Sequence, residues 1–268
     1  MKTLPLFAAL LATTTAPALA EQAPLDLVGP IAEYKLYVSE NTDILVEETR
    51  AFTEAVKAGE IEKAKALFAP TRLSYERIEP VAELFADLDA PIDARADDYE
   101  QAEADPEFTG FHRLEYALWV EGKTDHVTEI ADKLQADIEE LARRIDSLTF
   151  PPAVVVGGAS VLMEEVAATK ISGEEDRYSR TDLWDFHGNF DGAWKIVELF
   201  APHVEDEAFL NSVEGNFDKV RDTLGKYREG EGFVSYEHLS DEDRRRLSAL
   251  VNTLAEDLST LRGRLGLI

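Results

Sequence analysis

Apolar residues recur at intervals of three and four along most of this chain, the spacing of one face of an α-helix. Between Asp125 and Leu148 the series Val127, Ile130, Leu134, Ile138, Leu141, Ile145 and Leu148 keeps that step throughout and lays one stripe along a helix. Pro151 and Pro152 then stop it. Leu210, Val213, Phe217, Val220, Leu224 and Tyr227 repeat the pattern, as do Leu247, Leu250, Leu254, Leu258 and Leu261. The last helix is expected to start at Ser240, with Asp243 placed as in a capping box. Pro30, Gly59, Pro70 and Pro80 mark off earlier helices, and "APIDARADDYEQAEADPEF" reads as an acidic, proline-bounded connection. Strand-like alternation is not seen.

Long amphipathic helices with short links pack as antiparallel bundles. The chain is therefore expected to be all-α. The break at "FPPAVVVGGAS" divides it into similar halves, residues 21–149 and 150–268, read as two helical bundles packed into one body. "GFHRLEYALW" and "DFHGNFDGAW" share Phe-His and a Trp seven residues after the His, a weak echo between the halves.

The first residues, "MKTLPLFAALLATTTAPALA", carry one Lys, an apolar run and the small-residue ending Ala18-Leu19-Ala20. That is the pattern of a secretory signal with cleavage after Ala20, so export and a periplasmic location are expected. The run is too short for a spanning helix, and no membrane insertion is expected. Cysteine is absent, which removes disulfides and cysteine-linked lipid and leaves stability to a buried core. Against 27 basic residues stand 54 acidic ones, a formal net charge of −27. Such a field repels phosphate backbones and anionic lipid and attracts cations. Nucleic acid is excluded as a partner on that ground, and most of the acids read as solvated helix faces.

"FTGFHRLEYALW" sets His112 and Glu115 three residues apart, on one face of a helix and pointing into one volume. An imidazole and a carboxylate so placed make either a satisfied buried pair or half of a metal site. Upstream, Glu76, Glu79, Glu83, Asp87, Asp89 and Asp93 offer carboxylates that a bundle can bring alongside. Oxygen donors with one imidazole suit iron, manganese or zinc rather than a thiolate-preferring metal.

"GFHRLEYALW", with "YERIEP" and "LDAPIDAR" before it, resembles the imelysin-like family. "KISGEEDRYSRTDLWDFHGNFDGAWKIVELFAP" and "LSDEDRRRLSALVNTLAEDLSTLRGRLGL" are similar to that family's second half, so the likeness covers nearly all of the chain beyond the leader. Within the family it is similar to the periplasmic members of bacterial ferrous-iron uptake, in the short form that lacks a cupredoxin domain. The resemblance implies two four-helix bundles and a metal site in the first, built from the HxxE pair and two upstream carboxylates. Carried onto this sequence, the ligands are His112, Glu115, Glu79 and Asp93, with Glu76 as rival to Glu79. It implies a transition-metal ion, iron in first place with zinc, manganese or copper as alternatives, captured for an inner-membrane iron permease and a periplasmic haem peroxidase. Three converging carboxylates are expected to raise one another's pKa before metal enters.

Two other readings stand beside this one. The family's peptidase label implies a zinc metallopeptidase, but the chain has no HExxH. Its five histidines, His112, His126, His187, His203 and His238, offer no compact pair, so no complete catalytic site can be assembled. The third reading is a metal-independent helical module that binds a ligand in a cleft. Arg177, Tyr178, Asp182, Trp184 and Asp185 crowd a helix start and read as a structural network, with Asp182 as cap and Arg177 paired to acids. His187, with Asp191 at helical spacing, reads as a partly buried core histidine.

Overall fold

The computed structural model describes residues 26–267, so the expected leader and cleavage after Ala20 lie outside the described residues. Helices dominate: α1 (Val28–Lys57), α2 (Ile61–Ala82), α3 (Ala86–Asp93), α4 (Gly110–Tyr116), α5 (Thr128–Ser147), α6 (Pro152–Ala168), α7 (Asp182–Phe200), α8 (Glu207–Gly225), α9 (Asp241–Ser259) and the short α10 (Leu261–Arg264). Among the described residues the sheet is confined to one small antiparallel hairpin, Arg228–Glu229 with Gly232–Phe233. The all-α expectation holds. Among the described residues, no helix is long and apolar enough to cross a membrane.

The stripe read between Val127 and Ile145 becomes the buried face of α5, which packs against α1. Ser240 accepts from the Asp243 amide at the start of α9, as its capping position requires. Pro152 opens α6 at the first helical turn, where its missing N–H costs nothing. Pro70 and Pro80 behave differently from expectation: both lie inside α2 rather than ending helices. An interior proline costs about 3 kcal/mol. Packing carries that cost here, because α2 is flanked by α1 on one side and α7 on the other, and Gly158 of α6 brings its backbone against the Pro80 ring. The acidic connection is likewise more ordered than its composition suggested. Residues 90–93 end α3, and two single 3-10 turns, Ala96–Asp98 and Ala102–Ala104, follow.

In the first half α1 meets α2 and α5, while α3 and α4 lie against α5. In the second half α6 meets α7 and α9, and α8 meets α9. The seam between them is the α2–α7 contact. One apolar cluster runs through both halves from Leu27 to Leu265, with no break at Phe150.

Small residues set the closeness of the seam. A methyl group on Gly192 would stand 2.5 Å from the Arg77 carbonyl oxygen, and one on Gly188 would stand 2.6 Å from the Glu76 Cβ. Gly192→Ala is therefore expected to destabilise the protein by about 1–3 kcal/mol through overpacking. Gly215→Ala in α8, where nothing lies within 4 Å, should be neutral or stabilising by about 0.5–1 kcal/mol. Urea denaturation of both variants checks this, and equal midpoints would remove the close approach as the reason for glycine at position 192.

Candidate metal centre

The seam carries charge where its helices should be apolar. On α2, Arg72, Glu76 and Glu79 step by four and three; on α7, Asp182, Asp185 and Asn189 step by three and four. All six are buried. They occupy the core-facing stripe of their helices, so the acids face one another rather than water.

Arg72 organises them. Its guanidinium is fully buried and reaches five carboxylates: Glu76 at 2.5 Å, Asp93 in a shorter contact, Glu175 at 3.5 Å, Asp176 at 3.3 Å and Asp185 at 3.4 Å. The rings of Phe68 and Phe111 lie against the guanidinium at 5.9 and 5.5 Å. Lys170, also buried, is the second cation. Its Nζ donates to Glu79 Oε1 at 2.5 Å and Glu76 Oε2 at 2.8 Å, and stands 3.8 Å from Glu175 Oε1. Asn189 donates to both Glu76 and Glu79 from the α7 side.

His112 completes the cluster, and a glycine puts it there. Gly110 has φ +75°, and a Cβ on it would collide with the Ile92 carbonyl oxygen at 2.3 Å, so the start of α4 lies directly on the end of α3. That contact sets His112 beside Asp93. Directly after α4 the helix widens into a π turn, Ala117–Glu121, a feature common near functional sites.

The two imidazole nitrogens have different surroundings. Nδ1 is 3.1 Å from Glu115 Oε2, while Glu115 Oε1 accepts from the backbone amides of Tyr178 at 2.9 Å and Ser179 at 2.7 Å. A carboxylate so held fixes the ring and its tautomer. Nε2 has no hydrogen-bond partner although His112 is 1% exposed, and it faces Asp93 Oδ1 at 3.5 Å and Glu175 Oε1 at 3.8 Å. Protonated, Nε2 makes long ion pairs with these two acids; once it gives up that proton, the nitrogen and the two carboxylates are donor types that suit a transition-metal ion. Asp93, His112 and Glu175 can offer ligand atoms within 4.8 Å of one another, and so can His112, Glu115 and Asp176.

Of the four residues expected from the sequence, His112, Glu115 and Asp93 come together and Glu79 stands apart. Glu79 groups with Glu83 and Glu165 instead, and pairs with Lys170. Glu76 is neither solvated nor free: Arg72, Lys170 and Asn189 all hold it. The charged groups gathered round His112 also come from both halves, since Lys170, Glu175, Asp176 and Asp185 belong to the second. Asp182 does not cap α7. Thr181 holds the cap position, and Asp182 instead accepts from the Asp176 amide at 3.3 Å. Arg177 pairs with Asp97 and Glu174, and His187 is a half-buried histidine against Phe233, Arg228 and Asp191, both as expected.

Arg72, Lys170, Glu175 and Asp176 were not singled out from the sequence. Arg72 had a signal, a charge standing in the apolar stripe of α2. Glu175 and Asp176 had none, because they lie on the loop between α6 and α7, where no periodicity applies.

The cluster divides its carboxylates by which cation each meets. Burial pushes Asp93 up, but Arg72 and His112 outweigh it and hold the group well below its usual range. Glu175 is likewise pushed up by burial and then brought down to about 2 by Lys170 and His112. The expected mutual raising is thus reversed at Asp93. It survives at Glu79, raised by burial and then by Glu76, and at Asp176, raised to about 8 by burial against the pull of Arg72. Burial also lifts Asp182 to about 6 and raises Asp185. For His112, burial and Arg72 work against the charged form, yet Asp93, Glu115 and Glu175 prevail and raise it.

Comparison with known proteins identifies the family. The imelysin family profile matches residues 30–261. The chain is 59% identical over 253 residues to the iron uptake system component EfeM of Pseudomonas syringae pv. syringae (strain B728a), covering 93% of this chain and 89% of that protein. It is 56% identical over 255 residues to the iron uptake system component EfeO of Escherichia coli O157:H7, covering 94% of this chain and 68% of that one. It is also 56% identical over 261 residues to the EfeO of Yersinia pestis, covering 95% and 69%. With a match across nearly all of its described residues and an all-helical fold in which the HxxE histidine is buried among carboxylates, this chain belongs to the imelysin family.

Proposed function

We propose that this protein is a periplasmic iron-binding component of an uptake system like those its relatives are named for. It takes a transition-metal ion as cargo, iron first among zinc, manganese and copper, and presents it to an inner-membrane permease beside a haem peroxidase of the same system. The observation that carries this reading is the unpartnered, buried Nε2 of His112 facing Asp93 and Glu175. In it, His112, Asp93 and Glu175 are ligands, and Glu115 is a positioning residue that holds the ring through Nδ1. Glu79 joins only when Lys170 no longer occupies it.

Hydrolysis is the weaker reading. A metallopeptidase needs a carboxylate free to activate water beside the metal. Glu115 spends one oxygen on two backbone amides and turns the other to the imidazole, so it is held as a positioning group rather than left free for that task.

Calorimetric titration of the mature protein under controlled oxygen tests the site. Wild type is expected to bind Fe(II) and Zn(II), and His112→Ala to bind at least about tenfold more weakly, roughly 1.4 kcal/mol. Glu175→Gln should show a similar loss. Saturating metal should raise the wild-type melting temperature by mass action, and His112→Ala should lose most of that increment. Equal affinity in the two proteins, with the same stability loss in metal and in chelator, would reduce His112 to a satisfied core histidine.

Stability of the chelated protein should also depend on pH in an unusual direction. Asp176, Asp182, Asp185 and Glu79 keep their protons to higher pH when folded than the ~4 of an unfolded carboxylate. Between those values the folded state binds more protons, so stability falls as pH rises. His112 acts in the same sense. Its contribution is complete below about 6.5 and is lost as pH climbs through its raised folded value. Asp93 and Glu175 act oppositely, but their contribution is already complete above about pH 4. The melting temperature in chelator is therefore expected to fall from about pH 5 to pH 8. Bound metal should replace the protons and flatten the fall, and Asp176→Asn should reduce its slope. A chelated protein that gains stability across this range would contradict the assignment of protons to the buried acids.

A further inference from the structure

We infer that Lys170 is a tethered cation that competes with the cargo ion, holding Glu76 and Glu79 until metal displaces it toward Glu83 and Glu165. This rests on the reading of the His112 site given above. Lys170 Nζ and His112 Nε2 approach the same oxygen, Glu175 Oε1, each at 3.8 Å. A metal bonded to that oxygen at about 2.0–2.2 Å would stand within about 6 Å of the ammonium. Both charges are out of water there, so their repulsion is weakly screened. The ammonium also holds the acids that would complete a coordination shell. Glu79 meets Lys170 and Asn189, and Glu76 meets Lys170, Arg72 and Asn189.

Of the two buried cations, Lys170 is the one built to move. Arg72 is fixed by five carboxylates and two aromatic faces. Among the described residues no aromatic ring packs over the Lys170 ammonium, and its four-carbon stem is flexible. Its backbone sits where α6 has just ended. Thr169 leaves helical geometry at φ −123°, ψ −56°, one 3-10 turn Lys170–Ser172 follows, and Gly173 reverses the chain at φ +79°. The loop that carries Lys170 carries Glu175 as well, so drawing Glu175 onto a metal and releasing Lys170 are movements of one segment.

A receiver for the displaced ammonium is in place. Glu83 and Glu165 are half-buried, lie with Glu79 in one group of oxygens within 4.8 Å, and meet no cation there in an ion pair among the described residues. The exchange moves the charge of Lys170 from Glu79 to Glu83 and Glu165, and the charge of the incoming ion is met by the carboxylates it binds and by protons released from the cluster. Such a competitor holds affinity below what the acids alone would give, which suits capture followed by release.

Zn(II) serves as an air-stable probe and Fe(II) as the anoxic one. Lys170→Met is expected to bind each at least about fivefold more tightly than wild type, while Glu83→Gln/Glu165→Gln, which removes no proposed ligand, should bind more weakly. In wild type, acetic anhydride labelling of Lys170 followed by mass spectrometry should be slow in chelator and faster with Zn(II). Unchanged or weaker binding by Lys170→Met would make Lys170 a structural strut and overturn the inference. If that variant fails to fold, labelling of wild type decides: a rate that metal leaves unchanged or lowers overturns it equally. Failure of the site itself reads differently, as wild type and His112→Ala binding metal alike.

Discussion

A guanidinium with no access to water has to be neutralised where it stands, and Arg72 imposes that condition on much of this protein. Taking a charge out of water costs several kcal/mol even after relaxation, and removing one partner of a buried pair leaves the other uncompensated. Arg72 is answered by Glu76 on its own helix, Asp93 at the end of α3, Glu175 and Asp176 on the loop before α7, and Asp185 on α7. Those partners come from four separate segments and from both halves. The guanidinium thereby ties α3, the 170–182 loop and α7 to α2, and the candidate site is the space those segments enclose.

One cation cannot balance that many acids. Lys170 and the His112 imidazole, which carries a proton more readily here than free histidine, take part of the excess, and burial makes Glu79, Asp176 and Asp185 hold protons more readily than free carboxylates. In the function proposed above, this acid cluster exchanges protons and an ammonium for a metal ion. This gives the strongly acidic composition a second meaning. Most of the acids are solvated, but a small set is buried at the seam, and the proposed metal site draws on that set.

Within the HxxE pair the labour is divided. Glu115 is anchored by two backbone amides of the 170–182 loop, so the ring of His112 on α4 is oriented by the second half of the chain. His112 Nε2 is left open toward Asp93 and Glu175, one acid from each half. The spacing in sequence explains why His112 and Glu115 share a face. It does not distinguish a ligand from the residue that aims it, which depends on what each carboxylate oxygen meets.

Helix content, the buried stripe of α5, the Ser240 cap and the His112–Glu115 pairing were legible in the sequence because each depends on residues within a turn or two of one another. Asp93 was legible through the family's motif. Pro70 and Pro80 were misread because a local rule for ending helices was overridden by packing on both sides of α2. Arg72, Lys170, Glu175 and Asp176 were missed for a related reason: a charged residue looks the same in sequence whether it faces water or another charge, and the nearest partners of Arg72 beyond its own helix lie 21 to 113 positions away. The helices, and which side chains share a helical face, follow from periodicity and capping along the chain. Which faces meet at the α2–α7 seam, and hence which acids are desolvated, which are neutralised by Arg72 and Lys170, and which remain to face His112, came from the fold, because desolvation and charge pairing belong to groups brought together from distant segments.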